Sequence, residues 1–298
     1  MDAWILLSIV AAAFQTLRFM LQKQLSLGTL SAGGATLARF YYAAPFVVVL
    51  TVAVLIWEGI GLPALSAWFW TYAIVGGLTQ IAGTWCVVLL FAQRNFAVGI
   101  TLKKTEVVQT ALVGFAVLGD RISLQGMIAI LLGLVAVLIL SHTPGTAGPR
   151  RILSRAAVIG LLSGVMFAIS AIGYRGATLE VAHDMPLVRA LVALSVVLVS
   201  QVLMAGLWLM WREPGQVAKV WGARRVALWI GLAGMGGSLC WFTAFTLQNA
   251  AYVFAVGQVE VMFSLLASVL FFHERVSGRE LLGIAVLAAS VIWLALMG

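Results

Sequence analysis

The stretch Gly77-Leu-Thr-Gln-Ile-Ala-Gly83-Thr-Trp-Cys86 returns in the second half of the chain as Gly231-Leu-Ala-Gly-Met-Gly-Gly237-Ser-Leu-Cys240, and that recurrence decides the fold. One offset carries Gly77 onto Gly231, Gly83 onto Gly237 and Cys86 onto Cys240. It then runs on without a gap. Phe91 meets Phe245, Asn95 meets Asn249, Glu106 meets Glu260, and Asp120, Arg121 and Ser123 meet Glu274, Arg275 and Ser277. Self-similarity at a fixed spacing, with polar residues matched at equal depth, marks a duplicated structural unit. Arg39 and Arg189, each near the start of an apolar segment, also correspond, at a slightly shorter offset because the connecting loops differ in length.

The duplicated unit is a bundle of membrane helices. Of the 298 residues, 63% are hydrophobic and only 9% charged, too few charges to cover a water-exposed surface. Apolar stretches of roughly 20 residues recur about ten times, each long enough to cross the hydrocarbon core as a helix. The hydropathy pattern places spans at 3–22, 34–57, 67–92, 96–118, 122–141, 156–178, 186–211, 225–247, 251–272 and 278–297. The Pro- and Gly-rich break Ser141-His-Thr-Pro-Gly-Thr-Ala-Gly-Pro-Arg-Arg151 is the seam. Residues 1–141 form a first five-helix repeat, 142–154 a linker and 155–298 a second five-helix repeat. An odd number of spans per half makes the second copy run inverted. The expected fold is all-α and membrane-integral, with ten transmembrane helices as two inverted repeats, an arrangement that supports two near-equivalent conformations open to opposite sides.

A net charge of +8 raises the question of nucleic acid, but the basic residues sit singly or in short clusters between apolar runs, so no nucleic-acid partner is expected. They describe topology instead. Lys23, Arg94, Arg150, Arg151, Arg155, Arg212, Lys219, Arg224, Arg225, Arg275 and Arg279 fall on one side, Arg121 and Arg175 on the other. The positive-inside rule makes the basic side cytoplasmic and turns both termini outward. Trp4 to Leu21 lacks a basic n-region and a cleavage site, and reads as the first span. Cys86 and Cys240 lie inside apolar segments, and His142, His183 and His273 near span ends, with no metal or disulfide spacing. No nucleophile–base arrangement or phosphate-binding Gly loop is visible, so no catalytic residue, metal or cofactor is expected.

The candidate chemistry lies in the spans. Ala97-Val-Gly-Ile-Thr-Leu-Lys103-Lys104-Thr-Glu106-Val-Val-Gln109-Thr110 places three ionisable groups near mid-membrane, where each costs at least ~2.5 kcal/mol to insert and calls for a partner. Lys103 at i and Glu106 at i+3 share a face that Gln109 and Thr110 extend, while Lys104 points away from Glu106. The second copy supplies Gln258 and Glu260, but Gly257 stands where Lys103 would be. Converging on the pseudo-twofold axis, Glu106 and Glu260 would be placed to share a proton and couple its movement to transport, or to bind a substrate amine. A Lys103–Glu106 bridge that merely holds helices together is the competing reading. Gln15, Arg18 and Gln22 on one face of the first span, and Ser163, Ser170 and Tyr174 on one face of the sixth, would complete a cavity, although Arg18 also lies close enough to a helix end to snorkel. Arg39 and Arg189 read as helix braces or anchors. Trp85 and Trp241 would either stack on a solute or simply pack, and the glycines at 160, 164, 231, 234 and 237 permit close helix approach.

Several of these positions resemble the drug/metabolite transporter superfamily, specifically its ten-span EamA-like branch, over essentially the whole chain. Ala38-Arg39-Phe40 and Val188-Arg189-Ala190 are similar to the family's Arg-bearing start of the second helix of each repeat. Gly119-Asp120-Arg121-Ile122-Ser123 and His273-Glu274-Arg275-Val276-Ser277 are similar to its acidic-Arg turn after the fourth, followed by a Gly-bearing fifth helix with Gly126 and Gly133 in one copy and Gly283 in the other. The family often carries a proline where this chain has Glu106 and Glu260. Its ten-span members commonly have cytoplasmic termini, opposite to the orientation drawn from the charges. The resemblance implies a multi-pass protein of the cell (inner) membrane that transports metabolites, typically outward.

The resulting expectation is a secondary active transporter, proton-coupled or exchanging, for a small polar or amphipathic solute. Lys103, Lys104, Glu106 and Glu260 together carry no net charge, which suits a zwitterion such as an amino acid. A membrane-embedded enzyme or lipid-handling protein using the same carboxylates is the alternative, and it requires a laterally open groove. Monomer and homodimer are both compatible with the sequence.

Overall fold

The structure, a computed structural model, describes residues 2–26, 30–91, 103–140, 155–263, 265–266 and 278–297. The linker at 142–154 lies outside the described residues, as do Arg94, Asn95, His142, Arg150, Arg151, His273, Glu274, Arg275 and Ser277 and the side chain of Lys23. Among the described residues the regular elements are helices: α1 (Ala3–Ser26), α2 (Ala32–Trp57), α3 (Ala67–Phe91), α4 (Glu106–Leu118), α5 (Leu124–Leu140), α6 (Arg155–Leu179), α7 (Pro186–Arg212), α8 (Gln216–Gly222), α9 (Arg224–Leu247), α10 (Ala250–Gly257) and α11 (Gly278–Met297). The one β-type contact among them is an isolated antiparallel bridge between Leu65 and Val181. Six helices, α1, α2, α3, α6, α7 and α9, are long and apolar enough to cross a membrane, and shorter apolar helices cover 106–118, 124–140, 250–263 and 281–296. The protein is a multi-pass helical membrane protein.

Large apolar side chains face outward along these helices, among them Val49, Leu78, Leu112, Phe115, Leu203 and Leu207, each at least half exposed. In water such a surface would be a liability; toward lipid tails it is the expected one. Polar residues are drawn inward instead. Thr51 Oγ1 bonds the Leu191 carbonyl at 3.2 Å and lies 2.7 Å from Ser195 Oγ between α2 and α7, and Ser290 Oγ donates to the Ala129 carbonyl at 2.8 Å between α11 and α5.

The most extensive helix contacts are α3 with α6 and α1 with α9, followed by α5 with α11 and α2 with α7. Under the residue correspondence between the two halves of the sequence, the first pair maps onto the second and each of the last two onto itself. Small residues make the close approaches possible. A Cβ on Gly173 would stand 2.8 Å from Gly76 Cα and from the Tyr72 carbonyl oxygen, and one on Gly236 would stand 2.8 Å from the Phe14 ring. Backbone-to-backbone approach of this kind is how transmembrane helices gain dispersion energy when lipid and side chain are equally apolar.

Two of the expected spans differ from a single uninterrupted helix. In the first half a turn at 104–105 precedes α4, which begins at Glu106; in the second, α10 stops at Gly257, a turn occupies 258–259, and helix resumes at Glu260. The two interruptions stand at equivalent places in the repeat. Short-range bonds of the i to i+3 kind, Thr105 O to Val108 N at 3.1 Å and Gln258 O to Val261 N at 3.0 Å, replace part of the α-helical ladder there. The first helix also runs further than expected, to Ser26. Gly119 ends α4 in the left-handed conformation at φ 68°, its N–H returning to the Gly114 carbonyl, which turns the chain sharply into α5.

Candidate functional site

Each interruption presents a carboxylate at the first position of a new helical segment, and each carboxylate meets a lysine. Lys103 Nζ is 2.9 Å from Glu106 Oε1, and Lys104 Nζ is 2.7 Å from Glu260 Oε2. All four side chains are buried. The adjacent lysines diverge: one closes onto its own half, the other crosses to the opposite half. Each carboxylate is thus ion-paired. Gln15 Nε2 donates to Glu260 Oε2 at 2.9 Å, and Gln258 Nε2 reaches the Lys104 carbonyl at 3.4 Å, so α1 and both interrupted segments meet at this layer. Lys103 also lies 4.8 Å from the Phe167 ring centroid, a cation–π distance.

Buried ion pairs of this kind are costly to form and more costly to break, because removal of one partner leaves an uncompensated charge in a low-dielectric interior. Buried acceptors at the layer include Glu106 Oε2, Gln109 Oε1 and Gln258 Oε1, which have no hydrogen-bond partner among the described residues. Gln109 donates to Thr105 Oγ1 at 3.1 Å, and its free oxygen lies where a Cβ on Gly164 would stand, 2.7 Å away. Gly164 therefore makes room for a polar side chain of α4.

Next to the ion pairs is a small chamber between α1, α3, α6, α9 and α10. Gln15, Gln80, Tyr174 and Ser238 supply its polar groups. Phe167, Trp241, Phe242, Phe245 and Phe254 supply its walls. Trp241 stacks on Phe245 at 5.8 Å between centroids and meets Phe254 edge-on at 5.4 Å. The cavity of about 20 Å³ has room for about one water, so the conformation is closed around its centre. Tyr174 donates to Gln80 Oε1, and Gln201 Nε2 donates to both the Tyr174 hydroxyl and Gln80 Oε1 at 3.1 Å.

Of the residues the sequence singles out, Lys103, Lys104, Glu106, Glu260, Gln15, Gln109, Gln258, Tyr174 and Trp241 gather at the ion-pair layer or the chamber. Arg18 is buried one turn from Gln15 rather than snorkelling outward. Trp85 is elsewhere: it meets Trp208 at 5.0 Å in an outer apolar groove of about 220 Å³ between α2, α3 and α7. Arg189 braces α6, donating to the Thr178 carbonyl at 2.8 Å. Gln80 and Gln201 are further polar residues of this region, and the signal for them in the sequence is a glutamine in an apolar span.

Beyond the chamber, at the end where α6 and α9 finish, Arg175 ties both halves together. It holds Asp120 with Nε to Oδ2 at 3.0 Å, donates to the Phe245 and Gln248 carbonyls at 2.7 and 2.8 Å, and reaches Asn249 Oδ1 at 3.0 Å. Asn249 returns to the Arg121 carbonyl at 3.3 Å and the Tyr252 hydroxyl accepts from Ser123 N at 3.2 Å. The turn after α4 is thereby latched to the α9–α10 connection.

Residues 154–296 match the model of the EamA-like transporter family. A solved structure described only as a crystal structure of protein superimposes with a TM-score of 0.66 over 97% of this chain and 99% of the other, at 16% identity, a likeness that shows the fold alone. No curated protein matches the chain in sequence.

Proposed function

We propose that the protein is a secondary active transporter of the drug/metabolite type, exporting a small polar or amphipathic metabolite such as an amino acid through alternating access of two inverted five-helix repeats, ten spans in all. The observation that carries this reading is the pairing of helices: α3 with α6 and α1 with α9 exchange when the halves exchange, and all four line one chamber. Two such halves can rock about that chamber so that the end latched by Arg175 opens as the other closes. The family match of the second half points to the same class. Exposed Arg212, Lys219, Arg224 and Arg225 on α7, α8 and α9 mark the end we assign to the cytoplasm, and the membrane we assign is the inner one. Coupling would run through the Lys–Glu pairs: a proton on Glu106 or Glu260 releases its lysine, and the released charge is the switch.

Counterflow in proteoliposomes tests this. Vesicles preloaded with unlabelled amino acids, or with organic acids and amines of similar size, should accumulate the labelled counterpart saturably, and Glu260→Gln should abolish accumulation driven by a pH gradient. Unchanged pH-driven uptake in both Glu106→Gln and Glu260→Gln would remove the carboxylates from coupling. Turnover of lipid without solute flux would favour the enzyme alternative. The outer groove at Trp85 and Trp208 gives that alternative little support, since no ionisable side chain lines it.

A further inference from the structure

We propose that Arg18 and Arg39 together bind an oxyanion, so that the solute is an organic anion with an apolar body; this rests on the chamber being the transport site. Both guanidinium side chains are buried, at 2% and 5% exposure. Neither forms an ion pair among the described residues. Arg18 has Gln22 Oε1 at a marginal 3.5 Å and the Phe19 ring at 4.3 Å; Arg39 has Thr84 Oγ1 at 3.0 Å and the Phe40 ring at 5.1 Å. Each guanidinium carries five N–H donors, and the side-chain hydrogen bonds seen among the described residues take one from each, Arg18 to Gln22 and Arg39 to Thr84.

The two are neighbours. A Cβ placed on Gly234 would lie 3.3 Å from Arg39 Cγ and 3.7 Å from Arg18 Cδ, so both side chains cross the same glycine of α9. Among the described residues the buried charged groups are then four cations, Arg18, Arg39, Lys103 and Lys104, against two carboxylates, Glu106 and Glu260, each already held by a lysine. Two positive charges remain. Arginine does not shed its proton in proteins, so this excess cannot be relieved by neutralisation. The other carboxylates whose side chains are described are engaged or lie at the ends of the bundle: Asp120 holds Arg175, Glu180 accepts from Ser66 at 2.6 Å, Glu213 caps the end of α7, and Asp2, Glu58 and Asp184 are exposed. Glu260, held by Lys104, attracts Arg18 only from outside ion-pair distance, so a buried cation pair with no carboxylate in contact among the described residues is stabilised by an anion that meets both guanidinium groups.

Position makes that anion part of a solute. From the chamber, Gln15 leads one turn along α1 to Arg18, Gln80 leads one turn along α3 to Thr84, and Ser238 leads one turn back along α9 to Gly234. α1 and α3 run in the same direction and α9 in the opposite one in an inverted repeat, so all three steps go the same way, toward the end that carries Arg224 and Arg225. The arginine pair is thus the next layer of the chamber. Guanidinium forks match carboxylate and phosphate bidentately, and the rings of Phe167, Trp241 and Phe254 face an apolar remainder. A neutral zwitterion would leave the two-charge excess in place, whereas an organic anion reduces it.

The test uses purified full-length protein in detergent, in a chloride-free buffer, with probes that share one ring: benzoate, phenyl phosphate, phenylalanine and benzylamine. Saturable upward shifts of the unfolding midpoint are expected with benzoate or phenyl phosphate, weaker ones with phenylalanine and none with benzylamine. Arg18→Gln and Arg39→Gln should each weaken anion binding about tenfold or more, and Arg→Lys should keep part of it. The ligand-free midpoint should hold or rise in both Gln variants, since each removes an uncompensated charge. Anions binding no tighter than benzylamine, or binding equally to the Gln variants, overturns the proposal. So does a fall of the ligand-free midpoint in both Gln variants, the outcome for two bracing side chains. Anion binding without counterflow would remove the transporter reading and leave the anion site; counterflow of amines alone, with no anion binding, would do the reverse.

Discussion

The two interrupted helices hold equivalent places in the repeat, yet one reads Lys103-Lys104-Thr105-Glu106 and the other Gly257-Gln258-Val259-Glu260. Both keep the carboxylate; only the first keeps cations. The reason is packing. A Cβ at 257 would run into the Trp241 ring, so the second half gives up a side chain there to admit the tryptophan that walls the chamber. The first half compensates by sending Lys104 across to Glu260. In the proposed alternation the two halves exchange roles, while the charges are divided unequally between them: Glu260 of the second half takes its lysine from the first.

The largest effect is expected where that division is broken. Glu260→Gln strands Lys104 and deepens the positive excess, and should destabilise the protein by about 3–5 kcal/mol in reversible unfolding. Lys104→Gln should cost less, because Arg18 and Lys103 remain to offset Glu260. If the lysine variant is the worse of the two, the positive excess is wrong. Next comes Gly257→Ala, which forces a methyl against Trp241 and should cost about 1–3 kcal/mol, with recovery when Trp241→Phe is added. Failure of that rescue would uncouple the glycine from the tryptophan. Tyr174→Phe deprives Gln80 and Gln201 of the hydroxyl they share and should cost about 1–2 kcal/mol. The smallest effect belongs to Trp85→Phe, under about 1.5 kcal/mol and with counterflow unchanged, because Trp85 packs on Trp208 away from the chamber.

Much of this was legible in the sequence because membrane helices write their apolar spans and their costly charges plainly. Glu106, Glu260 and the two lysines stand out as charges in apolar surroundings, and the partnership of Lys103 with Glu106 follows from their spacing on one helix. The partnership of Lys104 with Glu260 does not, since spacing along the chain says nothing about which helix faces it. Trp85 and Trp241 sit at similar depth, yet one turns to an outer groove and the other to the centre; depth is legible, the face is not. The interruptions before Glu106 and Glu260 were hidden because apolar residues continue on either side of them. Arg39 reads as a brace in the sequence, and its burial beside Arg18 and Gly234 is what places it in the proposed anion site.

Alternation between the halves is tested most directly by the accessibility of Ser238, which faces the chamber. With Ser238→Cys in a Cys86→Ser, Cys240→Ser background, a membrane-impermeant thiol reagent is applied from either side of oriented vesicles. Asp120→Asn, which loosens the latch on Arg175, should raise labelling from the latched end and lower it from the basic end. Labelling that rises from both ends, or from neither, would contradict two halves exchanging one opening between them.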